Sequence, residues 1–244
     1  MVRKALTMQA LRHAPVMYRR LRRAHYCAVG RDAGMRVLIK SLVRPDRACI
    51  DVGAYHGVFV DEFVRTGAQV VAYEPNAALA PILARMFRGR ATIVQAAVSS
   101  VSGAASLRIP DDDAALATIE PANRLVACPM LTEQAVRCVT LDSQDLPPVG
   151  FLKIDVEGHE MAVLEGAAEL LRRDLPTILV EAEERHRPGA VSSVCEHLAE
   201  LGYRGHALAD GQILPLQGPL DSLSATTPNA RDFLFNPARR ELSS

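Results

Sequence analysis

From residue 48 onward the chain alternates short apolar runs with segments whose apolar positions recur every three or four residues. The runs are 48–52, 69–73, 91–94, 149–154 and 177–180. Between them the spacing predicts helices over 57–66, 77–88, 160–172 and 191–201. In the third of these Met161, Leu164, Ala168 and Leu171 share a face, and in the fourth Val191, Val194, Leu198 and Leu201 do. Gly67 and Gly202 stand where a left-handed residue commonly ends a helix. Strands and helices alternating at this length predict βαβ units and a mostly parallel sheet with helices on both faces. That cover explains why the strands read as unbroken apolar runs rather than as an alternation.

Three regions depart from this rhythm. Residues 1–47 precede the first strand and read as helical, with Met17, Leu21, Ala24 and Ala28 at helical spacing and Met35, Leu38 and Leu42 again. They are expected to form an added basic cap. Residues 98–141 hold Gly103, Pro110, Pro121 and an Asp111–Asp113 run, with only two short strand-like pieces, 104–109 and 136–141. An excursion of that length between main strands is often functional. Late strands are expected at 203–208 and 232–235, as an antiparallel edge, and 239–244 as a frayed tail. The expected division is a cap over 1–47, a single α/β domain over 48–238 and the tail.

Composition narrows this picture a little. The 244 residues suit one large domain, and 49% hydrophobic with 23% charged residues is ordinary for a globular chain. No stretch reaches the roughly 18 apolar residues of a membrane span. The basic N-terminus lacks the apolar core of a secretory leader, which leads to the expectation of a cytoplasmic protein. The five cysteines are scattered and form no CxxC pair, which argues against a disulfide framework and a structural zinc site. Net charge is zero, yet residues 1–47 carry twelve Lys/Arg against two Asp/Glu. Without a nucleic-acid motif, that basic arm is expected to pack on the acidic remainder, and no nucleic-acid partner is expected.

Three constellations carry chemistry. The first is IDVGAYHG, residues 50–57, with Asp51, Gly53 and Gly57 between the first strand and a helix. Glycine lets backbone approach a ligand, and a helix N-terminus offers free N–H groups. The spacing is D-x-G-x-x-x-G, not the G-x-G-x-x-G of a pyrophosphate site. An acid before the first glycine suits a ligand with an ammonium group. The second is Glu74, at the end of the second strand and 21 residues after Gly53. A carboxylate there can accept both hydroxyls of a ribose. The shared ligand would carry a ribose and an amino acid, and S-adenosylmethionine meets that description. The third is FLKIDVEGHE, residues 151–160. Lys153 and Asp155 lie two apart on a strand and so share a face. Glu181 ends the fifth strand, followed by Glu183, Glu184 and His186.

These segments, with VVAYEP, VTLDS, VLEGA, ILVEAE and DFLFNP, resemble the FkbM-type methyltransferase family over roughly residues 48–235. The resemblance implies a seven-stranded class I methyltransferase fold that uses S-adenosylmethionine, often for O-methylation in natural-product or glycan pathways. It implies that Asp51 and Gly53 serve the methionine end, Glu74 the ribose, and Gln95 and Ala96 the adenine edge, with Tyr55 and Gly57 also among the cofactor-binding residues. Asp155 would line the methyl-transfer cleft. Where the family usually reads GANxG, this chain has Tyr55 in place of the asparagine.

Transfer to a hydroxyl also requires that its proton be taken by a base. The candidates are Asp155, His159 and His186, with His56 next. The expected partner is a small-molecule acceptor, natural product or sugar-like, and the oligomeric state is left open, with a homodimer as one option. Three rival readings remain at this point. They are an NAD(P)-dependent oxidoreductase on a similar sheet, a metal-assisted enzyme using Asp155, Glu157, Glu181 and His186, and a non-catalytic cofactor-binding module. No metal site is expected, because no spaced ligand motif is present.

Overall fold

The structure is a computed structural model that describes Met17 and residues 33–111, 113–125, 130–209, 212–216 and 230–238. Of the expected cap over 1–47, residues 1–32 (Met17 aside) lie outside the described residues, as do the tail at 239–244, Cys27 and Cys128. Helix α1 (Ala33–Leu42) is followed by β1 (Ala48–Val52), α2 (Val58–Thr66), β2 (Val70–Tyr73), α3 (Ala80–Met86) and β3 (Thr92–Val94). After an excursion come β7 (Val149–Ile154), α4 (Glu160–Glu165), α5 (Ala168–Asp174), β8 (Thr177–Glu181), α6 (Ala190–Glu200), β9 (Tyr203–Ala209), β10 (Gln212–Pro215) and β11 (Asp232–Pro237).

These strands form one sheet in the order β10-β9-β11-β8-β7-β1-β2-β3. The five from β3 to β8 are parallel, while β11 runs antiparallel to both β8 and β9. The sheet therefore has eight strands and not the expected seven. The extra member, β10, pairs antiparallel with β9 at the edge. It is four residues long, mostly exposed and ends in Pro215, so it has no buried face to leave a pattern in the sequence.

Alternation along the inner strands divides the core in two. Ile50, Leu152, Ile178 and Val180 point to one face and pack on Val163, Leu164, Leu171 and Leu198 of the later helices. Cys49, Phe151 and Leu179 point to the other and meet Ile39, Phe63, Leu83 and Met86. The rings of Phe63 and Phe151 lie 5.2 Å apart at their centroids, tilted by 54°. Burying each such side chain stabilises the fold by about 1.5–3 kcal/mol.

The segment expected as one helix over 160–172 is two. Asp142 ends the first and starts the second: its N–H donates to the Gly166 carbonyl at 3.0 Å. Its carboxylate then accepts the N–H groups of Glu169 and Leu170 at 3.0 and 2.9 Å. Such a cap comes from a residue distant in sequence, and periodicity carries no trace of it.

The excursion is a small sheet of its own, β4 (Ala97–Val98), β6 (Leu131–Val139) and β5 (Gly103–Pro110), in that order. A short 3-10 turn, Ala114–Leu116, follows β5. Leu107, Val136, Cys138 and Ala97 form its core, with Ala117 and Ile119 packed against it. The unit lies beside the carboxyl ends of the main strands. That is also where the chain reverses: β2 and β3 lie to one side of β1, and β7 and β8 to the other. In open α/β sheets ligands bind at this switch point.

Candidate functional site at the strand tips

Past Val52 the backbone turns sharply through Gly53 at φ +83°, Tyr55 at φ +46° and Gly57 at φ +74°. Gly53 and Ala54 donate to the Tyr73 carbonyl at 3.0 and 3.1 Å, which ties the loop to the tip of β2. Glu74 completes the tie: its carboxylate accepts the N–H of Tyr55 at 2.7 Å and that of Asn76 at 2.9 Å. Burial pushes the Glu74 carboxyl up to about 7, against the pull of these two N–H groups.

Behind the loop, register places Asp51 on β1 opposite Lys153 on β7. The Lys153 ammonium lies 3.2 Å from Asp51 Oδ1 and 3.2 Å from Asp155 Oδ2, and it donates to the Gly53 carbonyl at 2.9 Å. It also sits 5.1 Å from the centroid of the Phe59 ring. Burial alone would push Lys153 down. The charges of Asp155 and Asp51, with their hydrogen bonds, reverse that and hold it above the ordinary lysine value. Burial pushes Asp51 up, and Lys153 opposes the push.

Two cavities open here. The first, about 260 Å³, is lined by Gly53, Glu74, Ala96, Val98, Asp155 and Val156, and roofed by Ala114, Thr118 and Ile119 of the excursion. The second, about 250 Å³, lies between the loop and helix α1 and is lined by Met35, Ile39, His56, Phe59, Glu62, Lys153 and Asp232. Gly53, Tyr55, Asp155 and Glu181 line both.

The structure thus brings together Gly53, Tyr55, Glu74, Ala96, Asp155 and His159 around the first cavity. It does not bring Asp51 there. That side chain is fully buried beneath the loop against Lys153 and lines neither cavity. Gln95 is exposed and also lines neither. Gly57 packs on Phe87 and Leu83, where an added Cβ would lie 2.6 Å from the Phe87 ring.

The histidines divide as well. His159 faces the first cavity with both ring nitrogens engaged, Nδ1 2.9 Å from Glu120 Oε2 and Nε2 3.0 Å from Ser99 Oγ. His186 is buried outside both cavities, its Nε2 2.8 Å from Glu157 Oε2. That pair braces the turn in which Glu157 and Gly158 take φ of +55° and +105°. His56 stacks on Tyr55 with centroids 3.8 Å apart and lines the second cavity.

Sequence reading missed the roof. Thr118 Oγ1 and Asn123 Nδ2 both donate to the Glu157 carbonyl, at 2.9 and 2.8 Å, and Arg108 donates to the carbonyls of Glu120 and Asn123. Those contacts clamp the excursion onto the turn after β7. The unpatterned length of the excursion was the one available signal.

A parallel sheet reversing at β1 and β7, a glycine turn and a carboxylate at the tip of β2 define a class I methyltransferase fold. More particularly, the chain belongs to the methyltransferase FkbM domain family, whose model matches residues 51–204. Methyltransferase FkbM from Methylobacillus flagellatus KT superposes with a TM-score of 0.52 at 17% identity, over 80% of this chain and 45% of that one. This chain therefore spans less than half the length of that relative. An O-methyltransferase from Bacillus cereus in complex with SAH gives a TM-score of 0.47 at 15% identity, over 82% and 76% of the two chains. Ribosomal RNA small subunit methyltransferase A of Thermotoga neapolitana is 40% identical over 48 residues, 20% of this chain and 18% of that protein.

S-adenosylmethionine is the cofactor of this methyltransferase. The residues present suit it: a carboxylate for a diol, small apolar walls at Ala96 and Val98 for a base, and carboxylates at the far end for an ammonium group. Membership of this family sets aside the oxidoreductase reading. No group of three or more His, Cys, Asp or Glu suited to a metal ion occurs among the described residues. No helix among them is long and apolar enough to cross a membrane.

Proposed function

We propose that this methyltransferase acts on a hydroxyl of a small molecule, a natural product or sugar-like acceptor. The observation that carries the reading is the pair of carboxylates, Asp155 and Glu181, where the two cavities meet. Transfer to a hydroxyl needs a proton acceptor beside the reacting oxygen, and a carboxylate at that junction meets the need.

In this reading residues 48–238 form the cofactor domain. Glu74 takes the ribose hydroxyls, Ala96 and Val98 flank the adenine, and Gly53 and Tyr55 bound the methionine end. Asp51 acts from behind the loop, through Lys153. When bound, the cofactor supplies an electrophilic methyl group on a positively charged sulfur. The protein's own part is to hold the acceptor in line, exclude water and receive the proton. Helix α1 caps the second cavity, a role supported by Met35 and Ile39 in its wall. His159 braces the roof of the first cavity through Glu120 and Ser99, and the Glu157 pairing of His186 makes it a support of the turn.

An acceptor screen tests the reading. The purified protein is incubated with methyl-labelled cofactor and sugars, polyketide alcohols and hydroxylated peptides, together with amine analogues. The expected product is a methyl ether, identified by mass spectrometry and NMR; methylation confined to amines would remove the hydroxyl reading. Two variants report on the roles. Glu74→Gln keeps an acceptor for one N–H but loses the charge, and S-adenosylhomocysteine is expected to bind about 10- to 100-fold more weakly by calorimetry. Unchanged affinity would take Glu74 out of the ribose site. Asp155→Asn is expected to lower turnover at least about 100-fold with the thermal midpoint kept within a few degrees. Turnover equal to the parent would take Asp155 out of the mechanism.

A further inference from the structure

Any acceptor entering the second cavity meets the cofactor cavity at four shared residues, Gly53, Tyr55, Asp155 and Glu181. Two of them carry carboxylates, in unlike surroundings. Asp155 has one oxygen 3.2 Å from the Lys153 ammonium. Glu181, the last residue of β8, has no cation within ion-pair distance among the described residues. Its neighbours are mostly acidic. Asp232 is its register partner on β11, Asp155 and Lys153 face it from β7 and its tip, Glu157 from the following turn, and the Arg185 guanidinium acts on it from farther off. Glu62 and His56 lie across the second cavity.

We propose that Glu181 faces the methyl-bearing sulfur at the junction of the cavities and takes the proton from an acceptor hydroxyl held in the second cavity. The proposal rests on the hydroxyl reading above. In the step, the acceptor oxygen forms its bond to the methyl carbon as the carbon–sulfur bond breaks. The electron pair of that bond stays on sulfur, and the hydroxyl proton passes to a Glu181 oxygen. The positive charge on sulfur and the negative charge on the carboxylate disappear together. No net charge is created in a half-buried place; the attraction between carboxylate and sulfonium fades along the step, and Glu181 lowers the barrier by taking the proton as the attacking oxygen grows more acidic. Proton affinity agrees with the role. Burial first, then the charges of Asp155 and Asp232, push Glu181 up to about 8. A base works best when its pKa lies near the working pH.

S-adenosylmethionine and S-adenosylhomocysteine differ at the sulfur by a methyl group and one positive charge, so their relative affinity reads the charge of whatever faces that atom. Each is titrated by calorimetry into the parent protein and Glu181→Gln from about pH 6 to about pH 9. A sulfonium beside Glu181 favours its ionised form. The parent's preference for S-adenosylmethionine is therefore expected to rise about tenfold as pH increases through this range, equivalent to one pKa unit. In Glu181→Gln the preference should stay flat. A preference that does not change with pH in the parent, or that rises equally in the variant, overturns the proposal. The substitution removes one negative charge from an acidic cluster, so the variant should unfold at no lower temperature than the parent.

The proton role has its own arm. With any hydroxyl acceptor the parent methylates, Glu181→Gln should turn over at least about 100-fold more slowly. Its S-adenosylhomocysteine affinity at low pH should remain within about twofold of the parent's. Turnover within about threefold of the parent overturns the proton role, even where the cofactor preference behaves as expected. A parent that methylates amines and no hydroxyl removes the hydroxyl reading and the proton role with it. The pH-dependent cofactor preference then still reports Glu181 at the sulfur.

Discussion

Gly53→Ala is expected to bind S-adenosylhomocysteine at least about 100-fold more weakly than the parent, the largest loss for the smallest added group. Gly53 sits at φ +83°, which costs an L-residue about 1 kcal/mol by itself. Space costs far more. A Cβ at Gly53 would lie 1.8 Å from the Asp155 carbonyl oxygen and 3.0 Å from its carbon. Backbone cannot swing aside as a flexible side chain can, so the tips of β1 and β7 must separate. That movement would disturb the Lys153 bond to the Gly53 carbonyl and the loop's bonds to Tyr73. Gly67→Ala is the matched control. Gly67 has φ +86°, yet nothing lies within 4 Å of a Cβ there. It should lose about 1 kcal/mol of stability and none of its cofactor affinity. Calorimetric titration and thermal denaturation of both variants check this pair. Equal affinity in Gly53→Ala and the parent would mean that the turn does not shape the cofactor site.

Lys153→Met is expected to lower the unfolding free energy by about 3–5 kcal/mol near neutral pH, because it leaves carboxylates without their counter-charge. Asp51 is fully buried, and Lys153 is the one cation within ion-pair distance of it among the described residues. In the parent the Lys153 ammonium is held above its ordinary value, so its stabilising effect is complete below the unfolded-state value. That effect is lost only in strong alkali. The variant should behave differently in acid. Burial already pushes Asp51 up, and without Lys153 only the smaller pull of the Val60 backbone opposes that push. An acid whose folded-state value is raised carries its penalty above the unfolded value and sheds it as pH falls through the raised one. The deficit of Lys153→Met should therefore shrink between about pH 7.5 and about pH 5. Adding Asp51→Asn should recover part of it at the higher pH. Urea denaturation at both pH values measures the effect. A deficit below about 1 kcal/mol at pH 7.5 would show that the cluster is not a support of the loop.

Much of the scaffold was legible in the sequence because its signals are local. β1 and β7 appear with the expected bounds, since a strand covered on both faces must be apolar throughout. Glu74 and Asp155 could be placed at strand tips, because polar residues mark where such a run leaves the core. What was not legible involved partners far apart in the chain. The Asp142 cap divides one helical pattern into two helices, and β10 adds an exposed strand with no buried face. Asp51 looked like a ligand residue by its position before Gly53. The register of β1 against β7 turns it toward Lys153, about a hundred residues away.

The sequence alone determined the class of fold, the family and the identity of the turn, because strand burial, glycine positions and tip carboxylates are written within short stretches. The tertiary structure decided which of those residues meet. Sheet order sets β7 and β8 beside β1 and folds the excursion over the tips. That arrangement places Asp155 and Glu181 between two cavities, buries Asp51 and His186 as supports, and leaves Gln95 in solvent. The physical reason is one of range. Hydrophobic periodicity reports which face of an element is covered, while side-chain charge acts on whatever neighbour the completed sheet brings within a few ångströms.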